Sequence, residues 1–229
     1  SSFLRKVVAL TGIAIAGIAL ILVLHQREFF SSNFEYGVST TLEGQIITKP
    51  VPHIQVSLGS DHKNNELFQT ILLVGGGKTG ADKLIEQFEN QSGSLAGKKA
   101  TISGYLIYGD GKALLQLNSS EDIQLTSTPV ETSEDHSLPE NSVEIEGEVI
   151  DPKCYFGVMK PGEGKAHRSC AIRCIAGGIP PIFHKSNSSD YYLLMDDNNQ
   201  PVNNHVLSIV GDHVKLEGNA SNMGDWKIL

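Results

Sequence analysis

All three cysteines of this 229-residue chain, Cys154, Cys170 and Cys174, fall within one short stretch, with His167 among them. His167, Cys170 and Cys174 are spaced i, i+3, i+7, so a helix would carry them within about 60° of one another on one face. Cys154, at the end of the preceding strand, would complete a group of three sulfurs and one imidazole. Three chemistries suit that group. One is a single metal ion held tetrahedrally by Cys154, His167, Cys170 and Cys174, for which zinc, copper(I) or an iron centre fits the donors. Another is a disulfide from Cys154 to Cys170 or Cys174, the usual state outside the cytoplasm, stabilising by about 3 kcal/mol or more and leaving one thiol over. The last is reversible thiol–disulfide exchange, with His167 lowering a cysteine pKa. C-type haem is excluded because no C-x-x-C-H occurs.

The surrounding segment, 151–185, reads DPKCYFGVMKPGEGKAHRSCAIRCIAGGIPPIFHK. Pro161-Gly162 and Gly164 make 155–165 a loop, and 166–175 a short helix stopped by Gly177-Gly178 and Pro180-Pro181. An acidic chain, with a net charge of -8, concentrates Lys153, Lys160, Lys165, Arg168, Arg173 and Lys185 here. Lys160, Lys165, Arg168, Arg173 and Lys185 form a candidate docking patch for an acidic partner, such as an acidic redox protein, or for anionic lipid. The run from Cys154 to Pro181 resembles a motif of largely uncharacterised bacterial envelope proteins, H-x-x-C-A-x-x-C followed by Gly-Gly-x-Pro. That resemblance covers about 35 residues and implies an extracytoplasmic bacterial domain, with little about chemistry.

The elements that must position this segment come from a duplication. Residues 42–50 (LEGQIITKP) match 145–153 (IEGEVIDPK), and 95–104 (LAGKKATISG) match 209–218 (IVGDHVKLEG). Apolar runs 70–74 and 191–195 lie between them, so the same signals recur in the same order. Within each copy the hydrophobic period is two, and Gly109-Asp110-Gly111 marks a hairpin. Short strands, bend glycines and one helix suggest a small closed barrel, resembling the OB fold, in each half. The helix of the first copy is expected at 81–90, and a weaker equivalent in the second at 202–209. The C-terminal strand 225–229 would close the second barrel, with Trp226 as core or rim. The expected organisation is an anchor over 1–32, a first barrel over 33–127, an acidic linker over 128–142 and a second barrel over 143–229. The Cys/His segment is an insert in that second barrel.

Gly75-Gly76-Gly77-Lys78-Thr79-Gly80 fits G-x-G-x-x-G formally, but no βαβ unit follows and no acid ends the next strand. No nucleotide site is expected; the glycines would serve a tight turn, leaving Lys78 as an anion contact near a helix N-terminus. The acidic balance argues against a nucleic-acid partner.

Residues 7–24 are uncharged throughout, and eighteen residues in a helix span about 27 Å, the hydrocarbon thickness of a bilayer. Arg5 and Lys6 precede this run, which by the positive-inside rule places the N-terminus in the cytoplasm and the rest outside. The expectation is a single-pass protein of the bacterial inner membrane with its barrels in the periplasm. Ala9, Gly12, Ala16 and Ala19 form a small-residue stripe able to pack against another membrane helix. No recognisable hydrolase or metalloprotease motif is present. The sequence thus reads as a non-catalytic accessory subunit of a larger membrane complex, such as one handling electron transfer. The alternative is a metal-binding or thiol-redox envelope protein.

Overall fold

A computed structural model describes residues 1–26, 30–64, 66–95, 97–129, 141–157 and 159–229. The chain divides into two units, 1–30 and 31–229. The first is the helix α1, Ser2–Leu24, started by the Ser1 hydroxyl, which accepts from the Leu4 amide. It buries no residue, and its hydrophobicity runs round the whole circumference, as in a membrane span. Ala9, Gly12, Ala16 and Ala19 are exposed along it.

The second unit is mainly β and contains two closed five-stranded barrels. In the first, β1 (Ser32–Ile47), β2 (His53–Ser60), β3 (Glu66–Val74), β4 (Lys98–Gly109) and β5 (Lys112–Gln116) close in the order β1-β2-β3-β5-β4-β1. β3 and β5 run parallel, and β6 (Ile123–Pro129) adds to β4 outside the ring. In the second, β7 (Asn141–Ile150), β8 (Ile182–Lys185), β9 (Tyr191–Leu193), β10 (His213–Met223) and β11 (Trp226–Ile228) repeat that order, with β9 and β11 parallel. The duplicated Glu-Gly signal has a steric cause. A Cβ at Gly44 in β1 would overlap the Gln55 carbonyl of β2, and one at Gly147 in β7 the His184 carbonyl of β8. Only glycine lets the first two strands of each barrel cross so closely. The expected hairpin joins β4 to β5, with Asp110 and Gly111 both at positive φ.

The copies differ in where their helices enter. α2 (Asp82–Ser92) follows β3 and buries Ile85 and Phe88 with Ile46, Ile71, Leu73 and Leu115. The second barrel has no helix at the equivalent 202–209, contrary to expectation: that segment is a series of turns. Its Asn203 amide donates to the carbonyls of Ile175 (2.7 Å) and Ile179 (2.8 Å), a tertiary demand that overrides the helical spacing of Val202, Val206 and Ile209. The helical contribution comes instead from the insert between β7 and β8, which holds α3 (Pro152–Phe156) and α4 (Gly164–Ala176). Ala171 and Ile175 of α4 pack with Val149, Phe183, Tyr192, Val206 and Val210. Three local expectations are corrected. Cys154 lies in α3, not at a strand end; α3 and α4 both encroach on the loop proposed for 155–165; and 182–185 is the barrel strand β8, so the insert ends before it. The middle of the proposed linker, 130–140, lies outside the described residues, while its ends belong to β6 and β7.

Trp226 joins the two barrels rather than serving one. It is fully buried, its Nε1 donates to the Thr70 carbonyl of β3 at 3.0 Å, and the Lys112 ammonium stands over its ring. Around it the Thr70 amide donates to Asp225 (2.8 Å), and the Tyr191 hydroxyl donates to Asp110 (2.5 Å). Trp226→Ala is expected to cost about 3–5 kcal/mol and to lower Tm by about 10 °C in scanning calorimetry. Trp226→Phe, which keeps most of the bulk and orphans one carbonyl, should cost about 1–3 kcal/mol.

Candidate metal centre

The insert starts with a turn that its own sequence dictates. Asp151 caps α3 by accepting the Lys153 amide at 2.9 Å, and Pro152 occupies the first helical position, where no amide hydrogen is needed. This holds Cys154 one turn beyond Asp151, inside the protein. On α4, His167 and Cys174 are buried and Cys170 is half-buried, on the shared face that their spacing requires. The sulfurs of Cys154, Cys170 and Cys174 lie within 4.8 Å of one another, and those of Cys154 and Cys170 are 3.9 Å apart. Ligands bound to one ion through metal–sulfur bonds of about 2.3 Å sit roughly 3.8–4.0 Å from each other, so little movement would close the triad on a metal. All three cysteines are free thiols.

His167 joins the cluster through Cys154. Its ligand atom groups with Asp151 and Cys154, again within 4.8 Å, so Cys154 belongs to two triads. Among the described residues no four ligand atoms fall within that distance together. Cys154, Cys170, Cys174 and His167 cluster and could hold a metal ion, as two triads that share Cys154.

The glycine-rich loop between β3 and α2 forms the other wall. Lys78 Nζ donates to Cys170 Sγ at 2.8 Å and approaches Cys174 Sγ at 3.7 Å. The group that Lys78 meets is therefore a cysteine sulfur of this chain, not an external anion. Lys153, almost fully buried, donates to the carbonyls of Gly75 and Gly77, both at 2.7 Å. The Gly80 amide donates to the Gly177 carbonyl at 3.0 Å, stitching the loop to the end of α4. These chain approaches need glycine: a Cβ at Gly177 would overlap the Lys78 carbonyl.

Electrostatics follow from this packing. The hydrogen bond to Cys170 holds the Lys78 pKa above its usual value against the opposing effect of burial. Burial pushes that of Lys153 down, with the Asp151 carboxylate partly offsetting it. The hydrogen bond to Cys174, then burial, then the charge of Asp151 push the Cys154 thiol up, so metal uptake must displace its proton. Burial also lowers the His167 pKa, favouring the neutral imidazole that metals bind.

The basic residues of the insert are divided. Lys160 donates to the Tyr155 carbonyl, Arg168 pairs with Asp212 at 2.7 Å, and Lys185 lies 3.8 Å from Asp190. Lys165 and Arg173 are exposed. Asp151, Lys153 and the contact role of the glycine loop were not evident as site components. The Asp-Pro-x-Cys order was the local signal for the first; only the tertiary fold brings the loop, some 75 residues away, to the sulfurs. No known protein family, no curated protein and no solved structure matches the chain.

Gly177→Ala should force the loop off α4 at a cost of about 1–3 kcal/mol and expose the sulfurs. The Cys170 thiol should then react with an aromatic disulfide reagent about tenfold faster or more, measured under native conditions. Ala176→Gly, one residue away at an exposed position, should leave that rate within a factor of about two.

Proposed function

We propose that this protein is a membrane-tethered metal-binding protein of the bacterial envelope, holding a soft metal ion on Cys154, Cys170 and Cys174. The observation that carries this reading is the convergence of three free thiols, from two helices of one insert, at separations close to those of ligands on a single ion. Thiolate donors select zinc, copper(I) or iron–sulfur chemistry over hard cations. Lys78 supplies a positive charge against a site whose three thiolates outnumber the charge of one copper(I) or zinc ion. On this reading the role is binding, with the sulfurs packed between the insert and the glycine loop.

Tethering by α1, with Arg5 and Lys6 on the cytoplasmic side, puts both barrels in the periplasm on this reading. The accessory-subunit role suits the same molecule. The stripe of Ala9, Gly12, Ala16 and Ala19 gives α1 a close-packing face for a partner's membrane helix, and Lys165 and Arg173 remain exposed beside the thiol cluster for an acidic partner.

Elemental analysis of the reduced full chain, purified in mild detergent, should find stoichiometric soft metal, which the triple variant Cys154→Ser/Cys170→Ser/Cys174→Ser lacks. Stripping the metal with a chelator should lower the unfolding free energy by about 2.7 kcal/mol relative to protein kept at a hundredfold excess of free ion over Kd. A metal-free protein whose stability ignores both ion and chelator would exclude this function.

A further inference from the structure

One ion on the three sulfurs leaves two buried groups unexplained. Asp151 Oδ2 and His167 Nε2 are both enclosed, on residues 0% and 7% exposed, and neither has a hydrogen-bond partner. Orphaned polar atoms of this kind destabilise the fold, a carboxylate most of all. They do not satisfy one another, although the ligand atoms of Asp151, Cys154 and His167 lie within 4.8 Å. The other Asp151 oxygen is committed to capping α3, which fixes the direction of the carboxylate.

Resting on the metal-binding reading above, we propose that the centre is binuclear, with a second ion between Asp151, Cys154 and His167 and the Cys154 sulfur bridging the two. Each ion then uses one of the two triads, and both orphaned groups acquire a partner. Charge identifies the ion. Three thiolates and the Asp151 carboxylate carry four negative charges, and the Lys78 and Lys153 ammonium groups return two. Two monovalent ions complete the balance, whereas two divalent ions would bury an excess of two positive charges at severe desolvation cost. One divalent ion would also balance the charge but would leave one triad empty. The pair is therefore copper(I), which thiolate and imidazole both suit. Cys154 and His167 are the strong ligands of the second ion, and Asp151 faces it as counter-charge. Each thiol releases its proton to solvent on binding, and neither copper changes oxidation state.

The test is a titration of the reduced full chain with copper(I) against a chromophoric copper(I) chelator, with Zn2+ titrated in parallel. Two copper(I) ions per chain are expected, with a copper–copper scattering path in X-ray absorption. His167→Ala should bind one, and Asp151→Asn, which keeps the helix cap, should weaken the second ion about tenfold or more. The near-UV dichroism of Trp226, the single tryptophan, reports whether each variant keeps the joined fold. One copper ion on the unaltered chain, or two on a folded His167→Ala, overturns the binuclear site while leaving the metal-binding function intact. Uptake of two Zn2+ ions overturns the assignment to copper(I). No uptake of either metal overturns the function on which the proposal rests.

Discussion

A lysine side chain with almost no access to water must find oxygen atoms inside the protein or lose its proton. Lys153 finds two, the carbonyls of Gly75 and Gly77 in the other barrel. Charge-assisted hydrogen bonds of this kind are roughly twice as strong as neutral ones, and breaking either would strand a buried cation. The glycine loop is thereby held against the insert, and everything at the thiol cluster follows from that. Lys78 sits over Cys170 because the loop bearing it is fixed, and the Gly80–Gly177 hydrogen bond adds a second stitch. The same constraint explains why glycine occupies both sides of the seam: two backbones at hydrogen-bonding distance leave no room for a Cβ on the side that faces the partner.

The duplication shows how one barrel acquired this centre and the other did not. Both copies share strand order and the tight crossing of their first two strands at Gly44 and Gly147. In the first copy the junction after the first strand is only residues 48–52, and the helix enters after the third strand. In the second the same junction expands into α3 and α4, and the region after the third strand contains turns instead of a helix. α4 thus has two duties. Ala171 and Ile175 supply the barrel core, while the opposite commitments of Cys170 and Cys174 face the seam. Asn203, in the turns that replaced the helix, donates to the carbonyl of Ile175 in the last turn of α4 and to that of Ile179 just beyond it.

How much of this was legible depended on the range of the interactions involved. The period-two strands, the Asp110-Gly111 turn, the repeated Glu-Gly signal and the shared helical face of His167, Cys170 and Cys174 rest on local geometry, and each is present. Val202, Val206 and Ile209 also carried a helical spacing, but Asn203 between them is required by a distant helix end, so spacing misled. Trp226 was readable as a buried aromatic. That its indole would seek a carbonyl of β3 was not, because nothing within a few residues of it encodes that partner. The glycine loop is the strongest case: its composition speaks of tight turns and close approach, yet the approaching backbone is a second glycine pair 97 residues on.

That seam also explains why the two barrels behave as one unit. Its contacts combine a large aromatic anchor, Trp226, with polar bonds of strict geometry, Thr70 to Asp225 and Lys153 to the glycine loop. The apolar part contributes most of the stabilisation, and the directional bonds select one arrangement of the barrels over its rotated alternatives. The three sulfurs come from the second barrel alone, whereas Lys78 over them comes from the first. Any change in the charge of the sulfur cluster, by deprotonation, metal uptake or oxidation, therefore changes an interaction between barrels as well as one within the insert. Thiolates strengthen their attraction for Lys78, and metal-neutralised or disulfide-bonded sulfurs weaken it. The chemistry of the insert and the cohesion of the tandem are consequently linked through one ammonium group, and neither can be altered without a response in the other.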